Sequence, residues 1–151
     1  MILKHVDIYT DGACSNNPGK GGWAAILIYN GVEKVISGGY PMTTNNRMEL
    51  FAIINGLMQL KEPCDVTVYS DSAYSLDPFL KNWINGWIAN NWKTAGKDPV
   101  KNVDLWKTLL METKKHNVSF VKVKGHADNV YNNRCDELAR AEIKKLGEID
   151  D

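Results

Sequence analysis

Apolar and polar residues alternate from Val6 to Asp11, with Val6, Ile8 and Thr10 set against Asp7, Tyr9 and Asp11. This is the two-residue period of a strand with one buried face. Gly12 to Gly22 is rich in Gly, Asn and Pro and reads as a loop, which leaves Asp11 at the end of the first strand. Trp23 to Tyr29 and Val32 to Tyr40 are strand-like runs joined by Asn30-Gly31, a pair suited to the positive φ angles of a two-residue hairpin turn. Three antiparallel strands in a meander are expected at the start of the chain.

Past the hairpin the period lengthens. Thr43, Thr44 and Asn45 offer capping side chains, and a three-and-four spacing of apolar residues predicts a helix from about Asn46 to Lys61, ahead of Pro63. Val66 to Ser70 reads as a strand ending at Asp71, Val103 to Lys115 as a helix, Asn117 to Lys122 as a strand, and Asn133 to Leu146 as the last helix. Right-handed crossovers between such elements add parallel strands to the meander. The expected class is α/β: a five-stranded mixed sheet, three antiparallel strands then two parallel, flanked by helices. A chain of 151 residues with 44% hydrophobic residues fits one domain, taken as residues 1–146, with 147–151 as a short acidic C-terminal tail.

On the first helix Glu49 shares a face with Ala52, Ile53, Gly56, Leu57 and Leu60, the face that should meet the sheet. A carboxylate at the head of a core stripe is costly unless something positive or hydrogen-bonding compensates it. Asp136 repeats the pattern with Ala139, Ile143 and Leu146 on the last helix. Asp11 and Asp71 each end a strand-like run, and in open α/β sheets ligands bind at the carboxyl ends of strands. Taken singly, a strand-end Asp also suits a turn, and Asp136 also suits the positive end of a helix. Taken together, four acids aimed at one crevice repel unless some are protonated or a divalent cation lies among them. Oxygen ligands without a His/Cys cluster favour magnesium, with manganese as a substitute, over zinc.

Charge and cysteine content refine this picture. The formal net charge is zero, yet Lys81 to Lys124 carries nine lysines against Asp98, Asp104 and Glu112, a formal +6 that leaves −6 elsewhere. The basic stretch can attract phosphate, while the candidate catalytic acids lie in the acidic remainder. Cys14, Cys64 and Cys135 are odd in number and form no CxxC pair, which argues against a disulfide framework or zinc knuckle and for a reducing cytoplasm. Cys135 reads as a small buried thiol. Met1 to Asp11 has no unbroken apolar run, so neither a signal peptide nor a membrane anchor is expected.

Five ordered motifs span nearly the whole chain: YTDGACSNNPG at Tyr9 to Gly19, TTNNRMEL at Thr43 to Leu50, YSDSAY at Tyr69 to Tyr74, WKTAGKDPVKNVDLW at Trp92 to Trp106, and VKGHADNVYNNRCDELA at Val123 to Ala139. In these the chain closely resembles type 1 ribonuclease H, of the bacterial kind that carries a basic, tryptophan-containing protrusion. The resemblance implies the ribonuclease H fold and endonucleolytic hydrolysis of the RNA strand of an RNA–DNA hybrid by two metal ions, leaving 5′-phosphate and 3′-hydroxyl ends. It further implies Asp11, Glu49, Asp71 and Asp136 as ligands of Mg2+, with His126 assisting turnover, and a cellular role in removing hybrids and primers during replication and repair. A monomer is the default.

The same likeness places Cys14, Asn17, Asn45 and Asn46 along the minor groove of the hybrid and Thr44 at a DNA phosphate. Contacts to the 2′-hydroxyl distinguish RNA from DNA without reading sequence. Asn45 and Asn46 also suit helix capping, and both roles are compatible. Trp83, Trp87 and Trp92 either face the groove or pack into the core. Lys93, Lys97 and Lys101 are candidates for phosphate contact, the alternative being solvated loop charges. Two departures from similar bacterial enzymes stand out. Ile88, Ala89, Asn90 and Asn91 occupy places where relatives often have consecutive basic residues, and Ala73 occupies one where glutamine is common; both point to a weaker grip on substrate. A resolvase or integrase on the same architecture would act on DNA, and TTNNR argues against it. A binding module with disused acids is disfavoured because all four acids and His126 are present. An EF-hand around Asp11 fails because DGACSNNPG lacks alternating acidic ligands and a terminal Glu.

Overall fold

The structure is a computed structural model that describes residues 2–124 and 129–150, the last three by backbone alone. Strands β1 (Lys4–Cys14), β2 (Gly19–Tyr29) and β3 (Val32–Thr43) form the antiparallel meander. Its hairpin turns at Asn30 and Gly31, with φ of 49° and 75°, as the Asn-Gly pair predicts. Helix α1 (Asn45–Met58) crosses over to β4 (Cys64–Ser70), which pairs parallel to β1. Helices α2 (Ala73–Leu80), α3 (Trp83–Ala89) and α4 (Val103–Thr113) precede β5 (Asn117–Lys122), which pairs parallel to β4; α5 (Val130–Asp150) ends the fold. The sheet order is β3-β2-β1-β4-β5, the five-stranded mixed sheet that the hydrophobic pattern predicts.

Alternation along β1 and β4 turns Val6, Ile8, Val66 and Val68 toward one face, where Leu50, Ile53 and Leu57 of α1 and Trp106 and Leu109 of α4 complete the larger core. On the opposite face a smaller cluster joins Ala24 and Ile26 of β2 to Cys135 and Ala139 of α5. The sheet is thus covered by helices on both sides, with the carboxyl end of β1 between the first turn of α1 and the body of α5. Among the described residues no helix is long and apolar enough to cross a membrane.

The structure corrects several expected boundaries. The loop expected over Gly12 to Gly22 shrinks to residues 15–18: β1 continues past Asp11 to Cys14, pairing Gly12 with Trp23, Ala13 with Gly22 and Cys14 with Gly21, so Asp11 lies within the strand and not at its end. The glycines here serve close packing. A Cβ on Gly12 would stand 2.5 Å from Glu49 N, and one on Gly22 would collide with the Ala139 carbonyl oxygen of α5. Helix α1 stops at Met58 rather than Lys61, with Gln59 as its C-cap. Helix α5 starts three residues before the expected Asn133 and continues through the residues expected to form a tail after Leu146. Helices α2 and α3 fall where no helix was assigned, because α2 contains Pro78 and α3 has only seven residues, too few for a periodic signal.

Candidate active site

Asp11 is 6% exposed on β1, and Glu49 is 4% exposed in the second turn of α1. A single backbone N–H, that of Gly12, donates to both, at 2.9 Å to Asp11 Oδ1 and 2.9 Å to Glu49 Oε1. The absence of a side chain at Gly12 is what lets the helix approach so closely. Asp71 follows the last residue of β4. The chain turns there because Ser72 donates its N–H to Ser70 Oγ at 3.0 Å and accepts at its own hydroxyl from Ser75 N, starting α2. One carboxylate oxygen each from Asp11, Glu49 and Asp71 lie within 4.8 Å of one another, a group that could hold a metal ion.

Burial and mutual repulsion make negative charge on this group costly. Burial raises the Asp11 carboxyl from its ordinary 3.8 to about 7; the negative charges of Asp71 and Asp136 add to this, while hydrogen bonds from Glu49 and the Gly12 N–H oppose it. Burial, followed by the charge of Asp11, also lifts Glu49 well above its ordinary range. Glu49 Oε2 is buried and has no hydrogen-bond partner in the structure. A buried, unsatisfied carboxylate oxygen is costly, and a cation among these acids would offset that cost. The donor set is all oxygen, which suits a hard divalent cation.

Asp136 lies on α5 and does not join the three-acid group; its Oδ1 accepts from Arg140 Nε at 3.1 Å. It nevertheless lines the same open cleft, of about 710 Å³, with Asp11, Glu49 and Asp71. The fold therefore gathers all four acids around one depression at the carboxyl ends of β1 and β4, three of them in mutual reach. Ser72 and Arg140 also line the cleft and were not singled out in the sequence. The signal for Arg140 was its place four residues after Asp136, one helical turn along the same face.

Comparison with known proteins assigns the chain to a family. The sequence model of RNase H matches residues 3–144. The chain belongs to the RNase H family. A ribonuclease H of Caldicellulosiruptor saccharolyticus is 61% identical over 144 residues, 95% of this chain and 99% of that protein. One of Acetivibrio thermocellus is 59% identical over 143 residues, 95% of this chain and 97% of that protein. Among solved structures, LC9-RNase H1, described as a type 1 RNase H with the type 2 active-site motif, superposes with a TM-score of 0.85 at 26% identity, covering 97% of this chain and 75% of that one. LC11-RNase H1, solved in complex with RNA/DNA hybrid, shares the fold with a TM-score of 0.67 at 24% identity, covering 93% and 97%. The protein is accordingly a ribonuclease H enzyme, of a metal-dependent hydrolase family.

In this RNase H the residues expected to meet substrate divide into two sets. Cys14 and Asn45 line the cleft beside the acids. The Cys14 sulfur lies 2.7 Å from the Asn16 carbonyl oxygen, and the Asn45 N–H donates to Asn17 Oδ1 at 3.1 Å, which ties the β1–β2 turn to the start of α1. Thr44 is the N-cap of α1, its Oγ1 accepting from Arg47 N at 3.2 Å, so Asn45 and Asn46 are first-turn residues rather than caps. Trp83, Lys93, Lys97 and Lys101 form the second set, away from the cleft lining. Trp83 is 48% exposed, with Lys81 Nζ 5.4 Å from its ring centre. Trp87 and Trp92 instead pack against the main core, Trp87 edge-on to Trp106. The three lysines are exposed on or just after a small closed turn in which Val100 N donates to Trp92 O at 3.0 Å and Lys93 bridges Pro99. Cys135 is buried, its thiol pushed up to about 12 chiefly by burial, as expected of a packing residue. His126 lies outside the described residues.

Proposed function

We propose that this RNase H is an endonuclease that hydrolyses the RNA strand of RNA–DNA hybrids, using Mg2+, or Mn2+ in its place, held by Asp11, Glu49, Asp71 and Asp136. The observation that carries the reading is the three-acid group with the unpartnered Glu49 Oε2 in the floor of an open cleft. The metal in its two-ion form would supply Lewis-acid charge to the phosphate and a water acidic enough to attack at neutral pH. The protein's own part is positional. The Gly12 N–H holds Asp11 and Glu49 in one geometry, Ser72 fixes the turn that presents Asp71, and α5 brings Asp136 from the far side.

Support for the hybrid as substrate comes from LC11-RNase H1, which was solved with RNA/DNA hybrid, and from Asn45 in the cleft lining, whose amide suits contacts to 2′-hydroxyls and base edges. Thr44, Asn46 and Asn17 join Asn45 in the reading, and Trp83, Lys93, Lys97 and Lys101 give a second contact with the hybrid's backbone. His126 is assigned, on the family likeness, to assisting turnover. The products carry 5′-phosphate and 3′-hydroxyl ends, and the cellular role is removal of hybrids and primers in replication and repair. The enzyme works as a monomer, a single domain that includes the whole of α5, in the cytoplasm; three free cysteines are consistent with a reducing compartment.

The decisive experiment is cleavage of end-labelled RNA–DNA hybrid, double-stranded RNA and double-stranded DNA, in magnesium or EDTA, by the wild type and Asp11→Asn. RNA cutting confined to the hybrid, dependent on magnesium and lost in the variant, is the expected result. Cutting of duplex DNA would move the enzyme to another nuclease class on this fold, and tight hybrid binding without cleavage would make it a binding module.

A further inference from the structure

Arg47 lies in the first turn of α1, next to the groove candidates Thr44, Asn45 and Asn46, yet it does not line the cleft. Its guanidinium forks onto the Asp104 carboxylate, with Nη1 to Oδ1 at 3.1 Å and Nη2 to Oδ2 at 2.9 Å, and Nη1 also donates to Asn102 Oδ1 at 3.2 Å. Asn102 is the N-cap residue of α4, but its side chain makes no capping bond. It sits in the left-handed region, at φ 60°, and donates instead from Nδ2 to the Tyr74 hydroxyl at 2.9 Å. Tyr74 follows Asp71 by three residues on α2, and Asn102 follows Lys101 directly. One hydrogen-bonded knot therefore joins the helix that bears Glu49, the helix that follows Asp71, and the end of the segment that bears the three exposed lysines.

A cap residue that gives up its usual bond in a strained backbone conformation needs a compensating partner, and Arg47 and Tyr74 supply it. Bidentate Arg–carboxylate pairing adds directional constraint that a lysine cannot reproduce. We propose that Arg47, Asn102 and Asp104 are positioning residues that hold the lysine-bearing segment at a fixed offset from the catalytic cleft, so that both engage one nucleic acid duplex at once. The inference rests on the hybrid-cleaving reading above. Two surfaces on one rigid body bind as one ligand, whereas a loosened second surface contributes less through its lower effective concentration at the duplex. The effect belongs to substrate binding and not to the chemical step.

The test is steady-state cleavage of hybrid by the wild type, Arg47→Lys, Asp104→Asn and the double variant, well below the melting temperature of each. Arg47→Lys keeps the charge and removes the fork. Asp104→Asn makes the protein more positive, so simple attraction of phosphate would lower KM. The positioning role instead raises KM several-fold in both, leaves kcat within about twofold, and makes the double variant no worse than the worse single one. A lower Tm with unchanged KM, a fall in kcat at constant KM, or a lowered KM in Asp104→Asn overturns the inference. An inactive wild type would take down the functional reading with it, whereas an active wild type whose variants keep their KM takes down this inference alone.

Discussion

Asp11 and Glu49 share one N–H donor and are both nearly closed to solvent, so in the metal-free protein each is easier to ionise after unfolding than before. The folded Asp11 carboxyl titrates at about 7 against an ordinary 3.8, and Glu49 is raised well above its ordinary 4.5. The folded state therefore keeps protons that the unfolded chain releases. The stabilisation is complete below the unfolded values and is lost as pH rises through the folded ones. In EDTA, Glu49→Gln should melt closer to the wild type at pH 5 and increasingly above it toward pH 8, because the amide has no charge to bury. Magnesium should raise the wild-type Tm at pH 8 and raise that of Glu49→Gln far less; parallel melting curves across pH would refute this account. Gly12→Ala tests the same geometry from the backbone side. Its Cβ would stand 2.5 Å from Glu49 N and from the Met48 carbonyl carbon, so α1 must move. A loss of about 1–3 kcal/mol in denaturant unfolding is expected from such overpacking. Cleavage should slow by up to about 100-fold, as misplacement of a catalytic group by ~1 Å does; retained stability with full activity would show that the helix can yield. The four acids stood out in the sequence because Asp71 closes a strand-like run and Glu49 and Asp136 fall on helical stripes of apolar residues; Asp11 stood out as the end of a strand that in fact continues to Cys14. The Arg47 and Arg140 pairings stood out less, because an arginine on a helix surface looks the same whether it faces solvent or a partner.

At the level of elements, the start of α1 is where local sequence and site geometry meet. The Thr44 hydroxyl takes the Arg47 N–H, and the Asn17 side chain takes that of Asn45, so two of the helix's free donors are satisfied by its own N-cap and by the β1–β2 turn. Thr44→Ala should cost about 1 kcal/mol of stability, the usual value of a lost N-cap, read from the shift in urea midpoint at constant m-value. A midpoint equal to the wild type's would mean that Asn17 alone suffices to hold the turn. Long elements with clear periods were legible from sequence: β1, the β2–β3 hairpin, α1, α4 and α5 lie where alternation or helical spacing puts them. Their ends were less legible, most of all at Gly12 to Gly22, where glycines chosen for close packing look like turn residues. Helices α2 and α3 escaped notice because α2 carries Pro78 in its interior and α3 has only seven residues, too few to show a helical period.

For the molecule as a whole, zero net charge conceals a polarity that folding only partly preserves. Lys81 and Lys122 both lie within ion-pair distance of Asp77, and Lys115 pairs with Glu112, so part of the basic stretch is neutralised on the side of β5 and α4. Lys93, Lys97 and Lys101 remain exposed on the segment near α3, the part of the surface proposed to meet the duplex at a distance from the acids. Helix α3 itself contributes no charge to that surface: Ile88 and Ala89 are exposed, Ile88 by 40%, beside Trp83 at 48%. Sequence order could show that these residues are uncharged, but only the fold shows that they are exposed rather than packed. If α3 flanks the phosphate track, Ile88→Lys with Ala89→Lys should lower KM for hybrid at low salt and steepen the fall of log(kcat/KM) with log salt. Each lysine that reaches a phosphate adds up to about 0.9 to that slope, by the value for B-form DNA. Because both positions are exposed, little stability should be lost, and Tm serves as the control. A steeper slope in this double variant would place α3 against the backbone of the hybrid. An unchanged slope with normal folding would confine the second contact to Lys93, Lys97 and Lys101, and the apolar surface of α3 would then have no part in holding substrate.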